Sequence, residues 1–417
     1  MKHIYRNDSP LDLSVTIPSS KSISNRLLLL QKTSGVPITI DNLSTASDTA
    51  LLLELLNRIE TSFHSSSSTS LYCNNCGTAY RFLTAYLASL PGTWILDGNE
   101  RMRKRPVKAL VDALTEGGAD IGYLHKSGFP PLQINGRRLT TDYWKINSQQ
   151  SSQYVSALAM ILPMLGRRSV IEFSTDTGSL QYIDMTLELM RNAGLSINRK
   201  DNIINYIHGE RENVSVSFFV EYDWTSAAVW YTFAALSSEA DLFILGLQKS
   251  ALQADSIIAQ WMELFGVQTE YTERGARIRK IKRKIPDMLQ LSCKHHPDLV
   301  PCLAALSVGL KIKAQLEQVE NLSLKESNRI EALTIELGKI AKIKYEGGTL
   351  IIEPQEDNFP DTVYFSSWDD HRIATSLSTL CCRIDNLYIE NPECVKKSYP
   401  DYWDNFSKTN KEDISLF

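Results

Sequence analysis

The sequence predicts a mixed α/β fold assembled from repeated units, and two observations carry that expectation. An amphipathic helix with Leu or Met at helical spacing recurs, ends in Gly or a small residue, and gives way to a short alternating strand. The joins at Gly118, Gly194, Gly266 and Ala341 are 76, 72 and 75 residues apart. Such a period is too long for an ordinary solenoid and suits a βαβ-type subdomain. In chain order, the helical part of each copy falls at residues 111–114, 187–190 and 261–265, then more weakly at 333–337. The weakest copy is at 52–59. Five visible copies in 417 residues imply about six, three in each of two domains.

Composition narrows the function. Hydrophobic residues make up 43% and charged residues 22%, as in globular proteins that live in water. A net charge of −4 gives no global attraction to nucleic acid or anionic membrane, so neither is an expected partner. Any anion must be captured by local cations. No run approaches the roughly 18 apolar residues of a membrane helix, and the polar start Met1-Lys2-His3-Ile4-Tyr5-Arg6 does not read as a signal peptide. Seven scattered cysteines point to a reducing cytoplasm. Cys73-x-x-Cys76 has no histidine nearby and reads as buried small residues, so no metal is expected there. The Ser-rich tract 64–70 reads as a surface loop, and the basic run Arg274 to Lys284, broken by Ile278 and Ile281, as a solvated strand edge.

Six short polar segments then share one design: a cation or neutral donor sits where an apolar helix begins. They are Ser20-Lys21-Ser22-Ile23-Ser24-Asn25-Arg26, Asn75-Cys76-Gly77-Thr78-Ala79-Tyr80-Arg81, and Arg101-Met102-Arg103-Lys104-Arg105-Pro106. Ser151-Ser152-Gln153, Lys325-Glu326-Ser327-Asn328-Arg329 and Asp369-Asp370-His371-Arg372 complete the set. Backbone N–H groups at a helix start face an anion, and Lys or Arg nearby adds full charge. Any one segment is an ordinary cap or surface salt bridge. Six along one chain suit a fold that aims its helix starts at polyanionic ligands.

These segments, in this order from Lys21 to Tyr402, resemble the 5-enolpyruvylshikimate-3-phosphate synthase (EPSP synthase) family; Tyr182-Ile183-Asp184 and Cys394-Val395-Lys396-Lys397-Ser398-Tyr399-Pro400 extend the likeness. The resemblance implies two domains, each of three βαβαββ repeats, with the active site in the cleft between them. The expected boundaries are 20–218 for the first and 1–19 with 219–417 for the second. It implies no cofactor, a monomer, and the small-molecule substrates phosphoenolpyruvate and shikimate 3-phosphate. Shikimate 3-phosphate is expected to meet Lys21, Ser22, Arg26, Ser151, Ser152, Gln153, Ser179, Tyr182, Asp298, Asn321 and Lys325. Phosphoenolpyruvate is expected to meet Lys21, Gly77, Arg105, Gln153, Arg329, Arg372 and Lys397. Two polyanions in one closed site demand such a count of cations. Asp298 is expected to accept the proton of the attacking hydroxyl, Glu326 to protonate the methylene carbon, and Lys21 to assist.

Several positions depart from the family pattern: Cys76, Tyr80, Phe82, Trp224 and Asn328. Two other readings stay open on sequence grounds. One is the related transferase acting on UDP-N-acetylglucosamine, which relies on a loop cysteine. The other is an anion-binding protein of the same fold without activity.

Overall fold

The computed structural model describes residues 1–6, 10–62, 68–209, 214–355 and 358–409. The chain divides into two units. One comprises Lys21–Ser44 and Asp48–Val220. It opens with α1 (Lys21–Thr33), the strand Ile38–Asp41 and α2 (Ser47–Ser62). The strand Val216–Phe219 returns to pair in parallel with Ile38–Asp41. Between them lie two full repeats. The first runs Thr69–Tyr72, α3 (Gly77–Ala88), Gly92–Asp97, α4 (Lys108–Glu116), Asp120–Tyr123 and Leu132–Gly136. The second runs Tyr143–Ile146, α5 (Ser152–Ile161), Ser169–Phe173, α6 (Leu180–Asn192), Ser196–Lys200 and Ile203–Ile207. In both, the first two strands are parallel across a helical crossover, and a hairpin then adds antiparallel beside the second.

The other unit comprises Met1–Ser20, Thr45–Ser47 and the chain from Glu221. Its first repeat is split. The strand Leu11–Thr16 pairs in parallel with Ala240–Leu245, which follows α7 (Trp224–Leu236); α8 (Ile258–Met262) and the hairpin Val267–Thr272 with Gly275–Lys280 complete it. The next repeat runs Met288–Ser292, α9 (Val300–Gly309), Lys313–Glu317, α10 (Arg329–Leu337), Ala341–Glu346 and Thr349–Pro354. The last has Thr362–Ser366 and Asn386–Glu390 in parallel across α11 (His371–Ser378), with Lys2–Tyr5 antiparallel at its edge; α12 (Tyr402–Ser407) follows. Among the described residues there are thus six small sheets, three in each unit.

The repeats contain two kinds of helix, and the sequence pattern found one. The second helix of each repeat, α4, α6, α8 or α10, has one apolar stripe and one solvated face, which is what a 3.6-residue period reports. The first helix is buried nearly all round: every residue of α7 and α9 is inaccessible, as is all of α5 except Gln153. A helix without a wet face has no periodicity to detect. The joins at Gly118, Gly194 and Gly266 are left-handed, with φ of 98°, 81° and 77°, so a residue without a Cβ ends the helix there.

Two sequence expectations change. Gly275–Lys280 is hydrogen-bonded on both sides, by Ala240–Leu245 and Val267–Thr272, so the basic run is no strand edge. Arg277 and Arg279 lie on the wet face of an interior strand, where Arg277 pairs with Asp241 and Arg279 reaches Glu270 at 3.4 Å, while Lys280 on the other face donates to the Ala235 and Ser237 carbonyls. Of the Ser-rich tract, residues 64–67 lie outside the described residues, while Thr69 and Ser70 begin the strand Thr69–Tyr72. Cys73 and Cys76 are both fully buried, and no group of three or more potential metal ligands occurs among the described residues. Among those residues, no helix is long and apolar enough to cross a membrane.

Candidate active site

In the first unit the site residues gather around the starts of α1, α3, α5 and α6. Arg26 lies one turn into α1 and is 2% exposed. Its Nε donates to Thr186 Oγ1 at 2.7 Å, Nη1 to the Ser22 carbonyl at 2.8 Å and Nη2 to the Tyr182 carbonyl at 3.2 Å. The rings of Phe82 and Tyr182 each lie 5.6 Å from its guanidinium carbon. All three acceptors are neutral, and burial pulls its pKa down to about 10. A buried cation held by neutral oxygens keeps its attraction for an incoming anion.

Lys21, the first residue of α1, pairs with Asp48 at 3.1 Å. Arg105 is 4% exposed and donates to the Asn75 carbonyl at 3.2 Å. It packs where Gly77 has no side chain: a Cβ there would lie 2.6 Å from the guanidinium carbon. The glycine is therefore needed for close approach. Arg103 instead pairs with Asp97, and Lys104 is exposed, so the basic cluster delivers Arg105 inward. Ser151 caps α5 by accepting from Gln153 N, and Ser152 is 5% exposed. Gln153 accepts from Arg81 Nη1 at 2.6 Å and donates to Thr78 at 2.9 Å, tying α5 to α3. Ser179 precedes α6 in a left-handed conformation (φ 58°), and its hydroxyl does not cap the helix.

In the second unit, the segment between Lys313–Glu317 and α10 meets the starts of α9 and α11. Arg329 is 1% exposed on its side chain and directs N–H groups at three carboxylates. Nη1 bonds Asp298 at 2.6 Å, Nη2 bonds Glu326 at 3.0 Å and Asp370 at 3.3 Å, and Nε bonds Asp370 at 2.9 Å. Lys325 lies 3.5 Å from Asp298. Burial disfavours the charge on Asp298, but Lys325, Arg329 and Arg372 outweigh it and hold the carboxyl well below the usual range.

Arg372, in the first turn of α11, is the contrast: it is 9% exposed, yet its Nε has no hydrogen-bond partner among the described residues. Burial opposes its charge, while Asp298, Asp223 and Asp255 support it and raise its pKa. Asn321 is half-buried and its Oδ1 has no hydrogen-bond partner among the described residues, and half-buried Lys397 ends the turn Pro392–Lys397.

Apart from Asn321 and Lys397, the expected site residues lie at or near the helix starts of one unit or the other. Asp184, in the Tyr182-Ile183-Asp184 segment, is instead turned to Arg199 in a two-pronged surface pair at 2.8 and 2.9 Å. Three contributors escaped the sequence reading. Thr186 lies one turn beyond Tyr182, an i, i+4 relation that could have marked it. Phe82 was noted as a departure and proves to cover Arg26. Asp370 was noted within a motif and proves to join α10 to α11. The departures are accommodated locally: the Cys76 sulfur accepts from Ala79 N as the α3 cap, the Tyr80 hydroxyl bonds the Leu96 carbonyl at 2.9 Å, and Asn328 caps α10. Trp224 is buried and donates to the Gln248 carbonyl.

Among the described residues, six small sheets in two triplets, with buried guanidinium groups at helix starts, define an enolpyruvyl transferase fold. Solved structures agree: EPSP synthase from Acinetobacter baumannii superposes with a TM-score of 0.75 over 98% of both chains at 19% identity. The enolpyruvyl transferase NikO from Streptomyces tendae reaches 0.74 over 97% of this chain and 96% of its own, at 13% identity. The family model described as EPSP synthase (3-phosphoshikimate 1-carboxyvinyltransferase) matches residues 5–406, and the chain belongs to that family. A 3-phosphoshikimate 1-carboxyvinyltransferase of Bacteroides fragilis is 33% identical over 98% of each chain. One from Neisseria meningitidis is 32% identical over 94% of this chain and 95% of its own.

Proposed function

We infer that this chain transfers the enolpyruvyl group of phosphoenolpyruvate to the 5-hydroxyl of shikimate 3-phosphate, releasing phosphate, as a step toward chorismate and the aromatic amino acids. The observation that carries the reading is Arg372, a buried guanidinium whose Nε lacks a partner beside an arginine saturated with carboxylates. Three carboxylates support its charge, but the unmet N–H costs about 1–3 kcal/mol inside the protein, which an anion accepting from it would recover. Family membership names the anions.

Shikimate 3-phosphate is assigned to Lys21, Ser22, Arg26, Ser151, Ser152, Gln153, Ser179, Tyr182, Asp298, Asn321 and Lys325. Phosphoenolpyruvate is assigned to Lys21, Gly77, Arg105, Gln153, Arg329, Arg372 and Lys397. In the addition step the 5-hydroxyl oxygen bonds C2 of phosphoenolpyruvate, its proton passes to Asp298, and C3 takes a proton from Glu326. In the elimination C3 returns that proton, the double bond re-forms, and the C2–O bond to phosphate breaks. Entering anions offset the pull of Lys325, Arg329 and Arg372 on Asp298 and bring it nearer the range where protons exchange. Lys21 assists either transfer. With this reading go a cytoplasmic monomer and two three-repeat domains, 20–218 and 1–19 with 219–417.

Phosphate release tests it: shikimate 3-phosphate with phosphoenolpyruvate should liberate phosphate, and UDP-N-acetylglucosamine in place of the shikimate should not. Release with the sugar nucleotide alone, or with neither acceptor, would overturn the assignment. The buried Cys76, whose sulfur caps α3, is not the exposed loop thiol that the sugar-nucleotide reaction would call for.

A further inference from the structure

Asp370 is fully buried, at 0% exposure, and is touched by donors from three directions. Its Oδ2 accepts from Ser327 N at 3.3 Å, Ser327 Oγ at 2.9 Å and Arg329 Nε at 2.9 Å. Its Oδ1 accepts from Arg329 Nη2 at 3.3 Å and from Arg372 N at 2.9 Å, the latter as the cap of α11. One side chain therefore joins the segment that carries Lys325 and Glu326 to the helix that carries Arg372. A cap alone needs a single oxygen and one N–H of the first turn. Here the second oxygen is wholly spent on Ser327 and Arg329. A two-oxygen grip fixes both the position and the tilt of a planar guanidinium, because the fork of N–H groups matches a carboxylate in one orientation. The remaining N–H groups of Arg329 then point at Asp298 and Glu326.

We propose that Asp370 is a positioning residue for the transfer reaction: acting through Arg329, it sets where Asp298 and Glu326 stand relative to the Arg372 guanidinium. This rests on the enolpyruvyl-transfer reading and adds to it a residue that need not touch either substrate. A purely structural role would make Asp370 matter for helix stability alone, independently of Arg329.

The test is a double-mutant cycle on the full chain with Asp370→Asn, Arg329→Gln and the pair, following phosphate release and thermal unfolding. Asparagine keeps an oxygen to cap α11, yet its amide cannot accept from Arg329 and Ser327 together. Asp370→Asn should lower kcat roughly 30-fold, the scale of one charge-assisted hydrogen bond in the transition state, with either KM changed less than about threefold. In the Arg329→Gln background the same change should lower kcat by no more than about threefold, because the residue it acts through is gone. Asp370→Ser, a good cap without a second oxygen, should match Asp370→Asn and serves if the asparagine variant fails to fold. Multiplying effects in the double mutant would overturn the proposal, as would unaltered kcat in both single variants at position 370. Absence of transfer by the unmodified protein would instead sink the underlying reading.

Discussion

Replacing Asp298 by asparagine should separate its catalytic work from its structural work. The carboxylate is 18% exposed on its side chain, 2.6 Å from Arg329 and 3.5 Å from Lys325. Asparagine keeps the shape and one acceptor but removes the charge, leaving Arg329 with two carboxylates in place of three. Downgrading one hydrogen bond between charged groups costs about 1–2 kcal/mol, or a fall in Tm of roughly 2–8 °C. Loss of a proton acceptor costs more in rate, on the order of 10²–10⁴ in kcat. The assay is phosphate release across a range of both substrates, beside urea unfolding of the two proteins. Turnover should drop at least about 100-fold while KM for phosphoenolpyruvate stays within about threefold. The stability gap has a sign in pH. The folded carboxyl is held below its unfolded value, so its contribution is full above the unfolded pKa and is lost as pH falls toward the folded one. The gap between the two proteins should therefore be constant near neutrality and narrow below about pH 4. Turnover within tenfold of the unmodified protein, or a gap that widens in acid, would refute the assignment.

Other substitutions probe the remaining parts. Gly77→Ala places a Cβ 2.6 Å from the Arg105 guanidinium carbon, so Arg105 must move; KM for phosphoenolpyruvate should rise about tenfold with little change in Tm. Arg372→Gln removes a cation that Asp298, Asp223 and Asp255 support, so Tm should fall while kcat/KM for phosphoenolpyruvate falls roughly 100-fold or more. Phe82→Leu removes one of the two rings beside Arg26 and should raise KM for shikimate 3-phosphate about threefold, with Phe82→Tyr restoring it. Asn328→Ala deletes the α10 cap and should cost roughly 1 kcal/mol in urea unfolding, whereas Asn328→Asp should be neutral.

What the sequence disclosed follows from which physics leaves a periodic trace. Helices such as α6, with one wet face, announce themselves, and the left-handed Gly194 marks where α6 stops. Helices such as α7 and α9 are apolar throughout and carry no phase, so the repeat was visible through only half of its helices. The strand Gly275–Lys280 misled for a related reason. Its cations alternate with buried Ala276 and Ile278, a pattern shared by an edge and by the open face of an interior strand. The polar segments at helix starts were legible because they are contiguous. Partnerships were not: Arg26 with Thr186 and Arg329 with Asp370 span 160 and 41 residues, and single residue types give no hint of them. Nor could residue type say that Arg329 is saturated and Arg372 is not, although both are arginines near a helix start.

The split repeat has a consequence for how the protein is made. The strand Leu11–Thr16 is synthesised roughly 230 positions before its partner Ala240–Leu245. At 5–20 residues per second that is a delay of roughly 10–45 s. Throughout it, Leu11 and Val15, destined for full burial, have nothing to pack on, and both edges of the strand are open. Everything between Lys21 and Val220 can meanwhile find its own strand partners, since all three of its sheets close within that stretch. Synthesis therefore imposes an order in which the enclosed half matures first and the opening strand waits.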